Sequence, residues 1–148
     1  MRKQLFGTFA ILSLLMALTV VSVQAQSKNR LTAHVPFAFQ IGDKTLPAGD
    51  YSVKRISQNG LLVQSADGKE NVIAQAQGSV QNNANEKPST EKLVFRQYGD
   101  QYFLAQVWMI RSNTGRELNM SDAERKSASN LKLARNGAKP QLVEVAAR

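Results

Sequence analysis

Residues 31–41 read LTAHVPFAFQI, and this stretch decides the fold class because apolar and polar side chains alternate along it. Successive side chains of a β-strand point to opposite faces, so such alternation predicts a half-buried strand. The apolar positions are Leu31, Ala33, Val35, Phe37, Phe39 and Ile41. Pro36 lies on the polar face and cannot donate a backbone hydrogen bond. We therefore expect this strand to lie at a sheet edge or to carry a bulge.

Turn signals divide the following residues into more short strands. Gly42-Asp43 and Pro47-Ala48-Gly49 predict turns, and Asn59-Gly60 predicts a type I′ hairpin in which Gly60 has a positive φ. Asp67-Gly68 and Gly99-Asp100 predict two further hairpins. The strands expected between these turns are 51–56, 61–64, 71–77, 93–98 and 102–110. Successive hairpins of this kind predict an antiparallel meander.

Two segments stand out from this pattern. Residues 102–110, YFLAQVWMI, are apolar on both faces apart from Gln106, which predicts a central strand with Trp108 in the core. Residues 78–91, GSVQNNANEKPSTE, carry mostly polar side chains and predict a long polar loop. The loop separates the two halves of the predicted sheet.

The C-terminal part of the chain predicts a helix and a last strand. A turn is expected at 112–115, and Ser121 and Glu124 have the spacing of a capping box, in which the serine caps the helix and the glutamate reaches back to it. The helix is predicted over 122–135, ended by Asn136-Gly137, and a strand over 141–146. The chain is thus predicted to be all-β, an antiparallel barrel or sandwich of about seven or eight strands with one short C-terminal helix.

The first 25 residues have the pattern of a secretory signal peptide. Arg2 and Lys3 precede an apolar stretch, and Val23-Gln24-Ala25 places small residues at positions −3 and −1 of a cleavage site. We expect cleavage after Ala25; the alternative is a retained N-terminal membrane anchor. A single β domain, 26–148, then remains in the periplasm or outside the cell, and its oligomeric state stays open.

The expected mature chain is basic. Removing residues 1–25 takes away Arg2 and Lys3 and leaves 17 Lys and Arg against 11 Asp and Glu, a net charge near +6. For an exported protein we expect an anionic envelope polymer or lipid surface as the partner, and no nucleic acid. The candidate patch lies near the C-terminus: Arg125, Lys126, Lys132 and Arg135. A solvated basic face is the alternative for this cluster.

The residue inventory excludes several kinds of active site. The chain has no cysteine and one histidine, so it offers neither a thiolate nucleophile nor a cysteine or multi-histidine metal site. We predict no catalytic, metal or cofactor-binding residue and no cofactor, and we expect His34 to be a solvated strand residue. The predicted function is a non-catalytic interaction or structural module of the cell envelope. The alternative is a carrier of a small apolar ligand in a cavity bordered by Phe103 and Trp108.

Two motifs near the start of the domain carry a family resemblance. Val35-Pro36-Phe37-Ala38-Phe39 and Leu46-Pro47-Ala48-Gly49-Asp50-Tyr51, with Gly42 between them, resemble a family of small secreted bacterial proteins of unknown function. The later Tyr98-Gly99-Asp100 and the helix start at Ser121 fit the same pattern, so the resemblance spans most of the mature chain. It implies export and assigns no functional residue.

Overall fold

The structure, a computed structural model, describes residues 30–81, 90–109, 114–134 and 137–147. These described residues form ten strands and one helix, and strands predominate, as the alternating sequence predicted. The elements are β1 (Arg30–Val35), β2 (Phe39–Ile41), β3 (Lys44–Leu46), β4 (Gly49–Arg55), β5 (Gly60–Ser65), β6 (Asn71–Gln81), β7 (Lys92–Tyr98), β8 (Gln101–Trp108), β9 (Thr114–Leu118), α1 (Asp122–Ala134) and β10 (Gln141–Ala146). The fold is all-β with one short C-terminal helix, as predicted.

The single strand predicted over 31–41 is two strands. Pro36 follows the last residue of β1, and β2 begins only at Phe39. After this break β2 pairs with β3 and also lies parallel to β8 at Gln40 and Phe103. The sheet is therefore mixed, and the two three-residue strands β2 and β3 raise the number of strands above the predicted seven or eight.

The sheet curves but does not close into a barrel. Its main path runs β1-β4-β5-β6-β9-β8-β2-β3, and β7 connects β8 to β10. The edges of β1 and β10 meet only at one isolated antiparallel bridge, between Ala33 and Ala147. The architecture corresponds to the sandwich alternative of the prediction. Within the described ranges, no helix has the length and apolar character needed to cross a bilayer.

The prediction for Gly60 was wrong. Gly60 does not have a positive φ and is the first residue of β5, so the β4–β5 loop consists of residues 56–59. The loop is closed by backbone hydrogen bonds from Ile56 N and Ser57 N to Gly60 O, at 3.0 and 3.4 Å. Glycine is needed here for space, because a Cβ at position 60 would lie 2.6 Å from Ser57 Oγ. Three other predicted turns contain a glycine with positive φ, at positions 42, 68 and 99, whereas Gly49 of the predicted turn at 47–49 has no positive φ and is the first residue of β4.

The long polar loop begins later than predicted. Residues 78–81 belong to β6, which pairs with β5 in its first half and with β9 in its second half. Strand β9 itself was not predicted, because its residues 114–115 fell in an expected turn. Its sequence TGREL carries only one large apolar side chain, so pairing with β6 and β8 rather than local pattern forms this strand. Residues 82–89 of the predicted loop lie outside the described residues.

Strand β8 is the centre of the sheet, as its two-sided apolar sequence predicted. It pairs with β7 on one side and with β2 and β9 on the other. Leu104 and Val107 belong to the main hydrophobic core inside the curved sheet. Five other buried hydrophobic residues lie outside that core, all of them on β7 or β8: Val94, Tyr98, Phe103, Ala105 and Trp108. A second, smaller buried layer therefore lies behind the main core.

Helix α1 covers part of this second layer. Glu124 N donates to Ser121 Oγ at 3.1 Å, which confirms the predicted N-cap. The Glu124 side chain does not complete the predicted capping box, because its carboxylate turns toward the sheet and accepts from Arg96 Nε at 2.5 Å. The helix ends at Ala134 among the described residues, and Arg135 and Asn136 lie outside them.

Candidate functional site

The structure separates the four residues of the predicted basic patch. Arg125 is already neutralised, because its guanidinium contacts the Asp122 carboxylate at 2.5 Å and donates to the Met120 carbonyl at 2.8 Å. The same contact lowers the pKa of Asp122, first through the hydrogen bond and then through the charge of Arg125. Lys126 and Lys132 are exposed on α1 without an ion pair to a described acid, and Arg135 lies outside the described residues. The described patch thus consists of two lysines.

Uncompensated positive charge extends well beyond the helix. Within the described ranges, seven lysine and arginine side chains form no ion pair. They are Arg30, Lys54, Arg55, Arg116, Lys126, Lys132 and Lys139. Six acidic side chains, by contrast, are each paired with a lysine or arginine: Asp67, Glu70, Glu117, Asp122, Glu124 and Glu144. Since each pair removes charge of both signs, the described ranges keep the balance of their 12 lysines and arginines against 10 aspartates and glutamates, a small net positive charge.

A buried charge network fixes α1 to the sheet. The Glu124 side chain is 2% exposed and accepts hydrogen bonds from Arg96 and from the Tyr98 hydroxyl, the latter at 3.2 Å. Arg96, 13% exposed, also lies 3.4 Å from Glu117. Burial, and then the negative charge of Glu124, raise the pKa of Tyr98 to about 12. Each charged group of this buried network has a partner, and the network joins α1 to β7 and β9.

Phe103 and Trp108, the predicted border of an apolar cavity, are both buried. Phe103 packs edge-to-face on Tyr98 with ring centroids 5.7 Å apart, and the Trp108 indole N–H donates to Gln106 Oε1 at 3.0 Å. Trp108 also lies directly against the backbone of Gly115. Both side chains belong to the layer behind the main core, and neither lines any of five pockets found on the described surface.

His34 lies on the polar face of β1, as predicted, but it has a partner that the sequence did not reveal. Its Nδ1 lies 2.9 Å from Asp50 Oδ1, because β1 and β4 pair in the register that places these two residues opposite each other. Both side chains are about two-thirds exposed. A contact so open to water contributes little to stability.

Two arginines that the sequence analysis missed share one pocket. Arg55 follows Val53 on the core-facing side of β4, and Arg116 precedes Leu118 on the core-facing side of β9. Both therefore stand where the alternation would place an apolar side chain. A charged residue at an expected apolar position could be recognised in the sequence for Arg55, since Tyr51 and Val53 define the core-facing side of β4. It was hidden for Arg116, because β9 was not recognised as a strand.

Comparisons with known proteins add no relative to this picture. No protein-family model matches the chain, and neither the curated proteins nor the solved structures compared with it contain a significant match. The functional argument therefore rests on the residues and their geometry.

Proposed function

We propose that the chain is an exported, non-catalytic interaction or structural module of the bacterial cell envelope that binds an anionic polymer or lipid surface. The uneven pairing of charge carries this proposal. Most acids of the described surface are consumed in ion pairs, whereas seven cations are left to interact with a partner. Such a surface attracts polyanions through a field that extends about a Debye length into solution.

The location in the envelope is supported by the sequence. Residues 1–25 have the charge and apolar pattern of a signal peptide, and the motifs at 35–39 and 46–51 resemble secreted bacterial proteins. A cationic protein in that compartment meets acidic polysaccharides and anionic phospholipid head groups. These are the partners that the charge of the mature chain favours.

The contribution of α1 to this surface comes from Lys126 and Lys132. Both ammonium groups are exposed and lack an acidic partner among the described residues. Arg125 is held by Asp122 and by the Met120 carbonyl, so its charge is partly cancelled at the surface. We therefore expect the two lysines to contribute more to binding than Arg125.

The proposal is tested by binding to an acidic polysaccharide and to phosphatidylglycerol vesicles at low and high salt. We expect binding to weaken steeply between about 20 mM and about 500 mM salt, because exposed charges are screened. His34→Ala leaves binding unchanged. A carrier of an apolar ligand behaves differently: its affinity is nearly independent of salt and falls when Phe103 is truncated. Absence of binding to both probes at low salt would overturn the proposal.

A matched pair of double variants separates a local patch from net charge. Lys126→Gln with Lys132→Gln removes two unpaired charges, whereas Lys44→Gln with Lys69→Gln removes two charges that are paired with Glu70 and Asp67. Both variants lower the net charge by the same amount. We expect the first to weaken binding more than the second. Equal losses would show that net charge alone attracts the partner and would refute a role for the α1 lysines.

A further inference from the structure

The strongest unexplained feature of the surface is a pocket that holds positive charge without an acid. It has a volume of about 420 Å³ and lies beside the β4–β5 loop, lined by Arg55, Ile56, Ser57, Gln58 and Arg116. Neither arginine forms an ion pair with any acid of the described ranges. The two positive charges therefore share one shallow, open pocket on the surface.

The pairing of the strands determines from which side of the sheet the two arginine side chains project. Arg55 lies opposite Leu61 in the β4–β5 pair, and Arg116 lies opposite Val107 in the β8–β9 pair. Leu61 and Val107 are both 1% exposed and belong to the main core, so both arginines project from the core-facing side of the sheet. Two like charges that line one pocket repel each other, and an anion bound between them lowers that cost.

The loop adds a hydroxyl group whose hydrogen is free to donate. Ser57 Oγ accepts a hydrogen bond from Gly60 N at 2.8 Å. With that acceptor role occupied, its O–H points elsewhere, and Ser57 lines the pocket. Gly60 makes this arrangement possible, because a Cβ there would lie 2.6 Å from Ser57 Oγ and 3.1 Å from Ile56 Cγ1.

We propose that Arg55, Arg116 and Ser57 form a binding site for a phosphate dianion. Two positive charges are balanced by one dianion, whereas a carboxylate supplies only one negative charge. Each guanidinium is a planar fork of N–H donors that matches two oxygens of a phosphate, and the Ser57 hydroxyl supplies a further donor. The group that binds is either free phosphate or the monoester phosphate of a lipid head group.

This inference goes beyond the proposed function and does not depend on it. The pocket shares no residue with the α1 lysines, and a saturable phosphate site requires a defined geometry rather than a net positive surface. The two ideas therefore fail separately. Loss of polymer binding leaves the saturable phosphate site intact. Loss of the phosphate site through Arg55→Gln or Arg116→Gln removes one of the seven unpaired cations, so it weakens the salt-dependent attraction of polyanions without abolishing it.

The test is a titration of the folded protein with inorganic phosphate, followed by the backbone amide signals of the β4–β5 loop and of β9. We expect saturable shifts near Ser57, Gly60 and Arg116. Arg55→Gln and Arg116→Gln should each weaken binding on the order of tenfold, as expected for hydrogen bonds to a charged group. Lys126→Gln with Lys132→Gln is the matched control and should not change the phosphate affinity. Acetate, a monoanion, should bind much more weakly than phosphate.

A second arm identifies the source of the phosphate group. Vesicles of phosphatidylcholine containing phosphatidic acid present a monoester phosphate on a surface. If the protein binds these vesicles in a way that depends on Arg55 and does not bind free phosphate, the site recognises a lipid head group. If the protein binds free phosphate, the site recognises a soluble ligand. Since Arg55 is exposed, Arg55→Gln alone is the comparison if Arg116→Gln does not fold. The proposal is overturned if phosphate and vesicles both fail to bind, or if Arg55→Gln leaves all binding unchanged.

Discussion

Replacing Glu124 with alanine tests whether the buried charge network holds α1 on the sheet. The substitution leaves the Arg96 guanidinium, 13% exposed, without its main partner and removes the acceptor of the Tyr98 hydroxyl. Breaking a buried ion pair in this way costs about 3 to 5 kcal/mol. Arg96 keeps Glu117 at 3.4 Å, so we expect a loss at the lower end, about 3 kcal/mol.

Glu117→Ala is the matched control. It removes the other carboxylate near Arg96, but the Glu117 side chain is 43% exposed, so we expect a loss below about 1 kcal/mol. Glu124→Gln keeps the size of the side chain and an acceptor oxygen, and its cost should fall between the two. The free energy of unfolding is measured by urea denaturation, with Trp108, the single tryptophan of the chain, as the fluorescent reporter.

Repeating the urea denaturation at high salt concentration gives a second test of the same buried network. The small effect of Glu117→Ala should disappear at about 1 M salt, because that pair is open to solvent, whereas the effect of Glu124→Ala should persist. The reasoning is refuted if Glu124→Ala costs no more than Glu117→Ala, or if salt removes both effects alike. In either case the packing of α1, and not the buried pair, would hold the helix.

Three further perturbations test the packing and the pH dependence. Gly115→Ala should destabilise by roughly 1 to 3 kcal/mol, because the new Cβ would lie 2.4 Å from Trp108 Cε2. Gly78→Ala, whose Cβ would lie 3.6 Å from Glu117, should cost less, and equal losses in urea denaturation would contradict the proposed clash. Trp108→Ala should cost roughly 3 to 5 kcal/mol, since the ring is 4% exposed; because this variant lacks the fluorescent reporter, its urea denaturation is followed by far-ultraviolet circular dichroism, and a cost below about 1 kcal/mol would contradict a packed central strand. Tyr98 has its folded pKa raised to about 12, so the unfolded chain loses this proton first and stability should fall as pH rises from about 10 to about 12. Tyr98→Phe should remove that part of the alkaline loss, and an unchanged slope of stability against pH would show that other groups cause it.

The sequence determined those features that depend on neighbouring residues along the chain. Alternation from Leu31 onward predicted the β class, and the two-sided apolar stretch around Trp108 predicted a central strand. Ser121 predicted the start of α1, since an N-cap is a hydrogen bond between residues three apart. Each of these signals depends only on residues close together in the chain, so it can be recognised without knowledge of the tertiary structure.

Only the tertiary structure decided which distant residues meet. Strand β9 forms because β6 and β8 offer hydrogen-bonding edges to a segment with little apolar character. Glu124 leaves its capping role because strand pairing brings Arg96 within reach, and a charge buried under a helix must be neutralised there. Arg55 and Arg116, 61 positions apart in the chain, line one pocket because of the path of the sheet. Pairing between segments so far apart depends on the packing of the whole chain, which no short stretch of residues specifies.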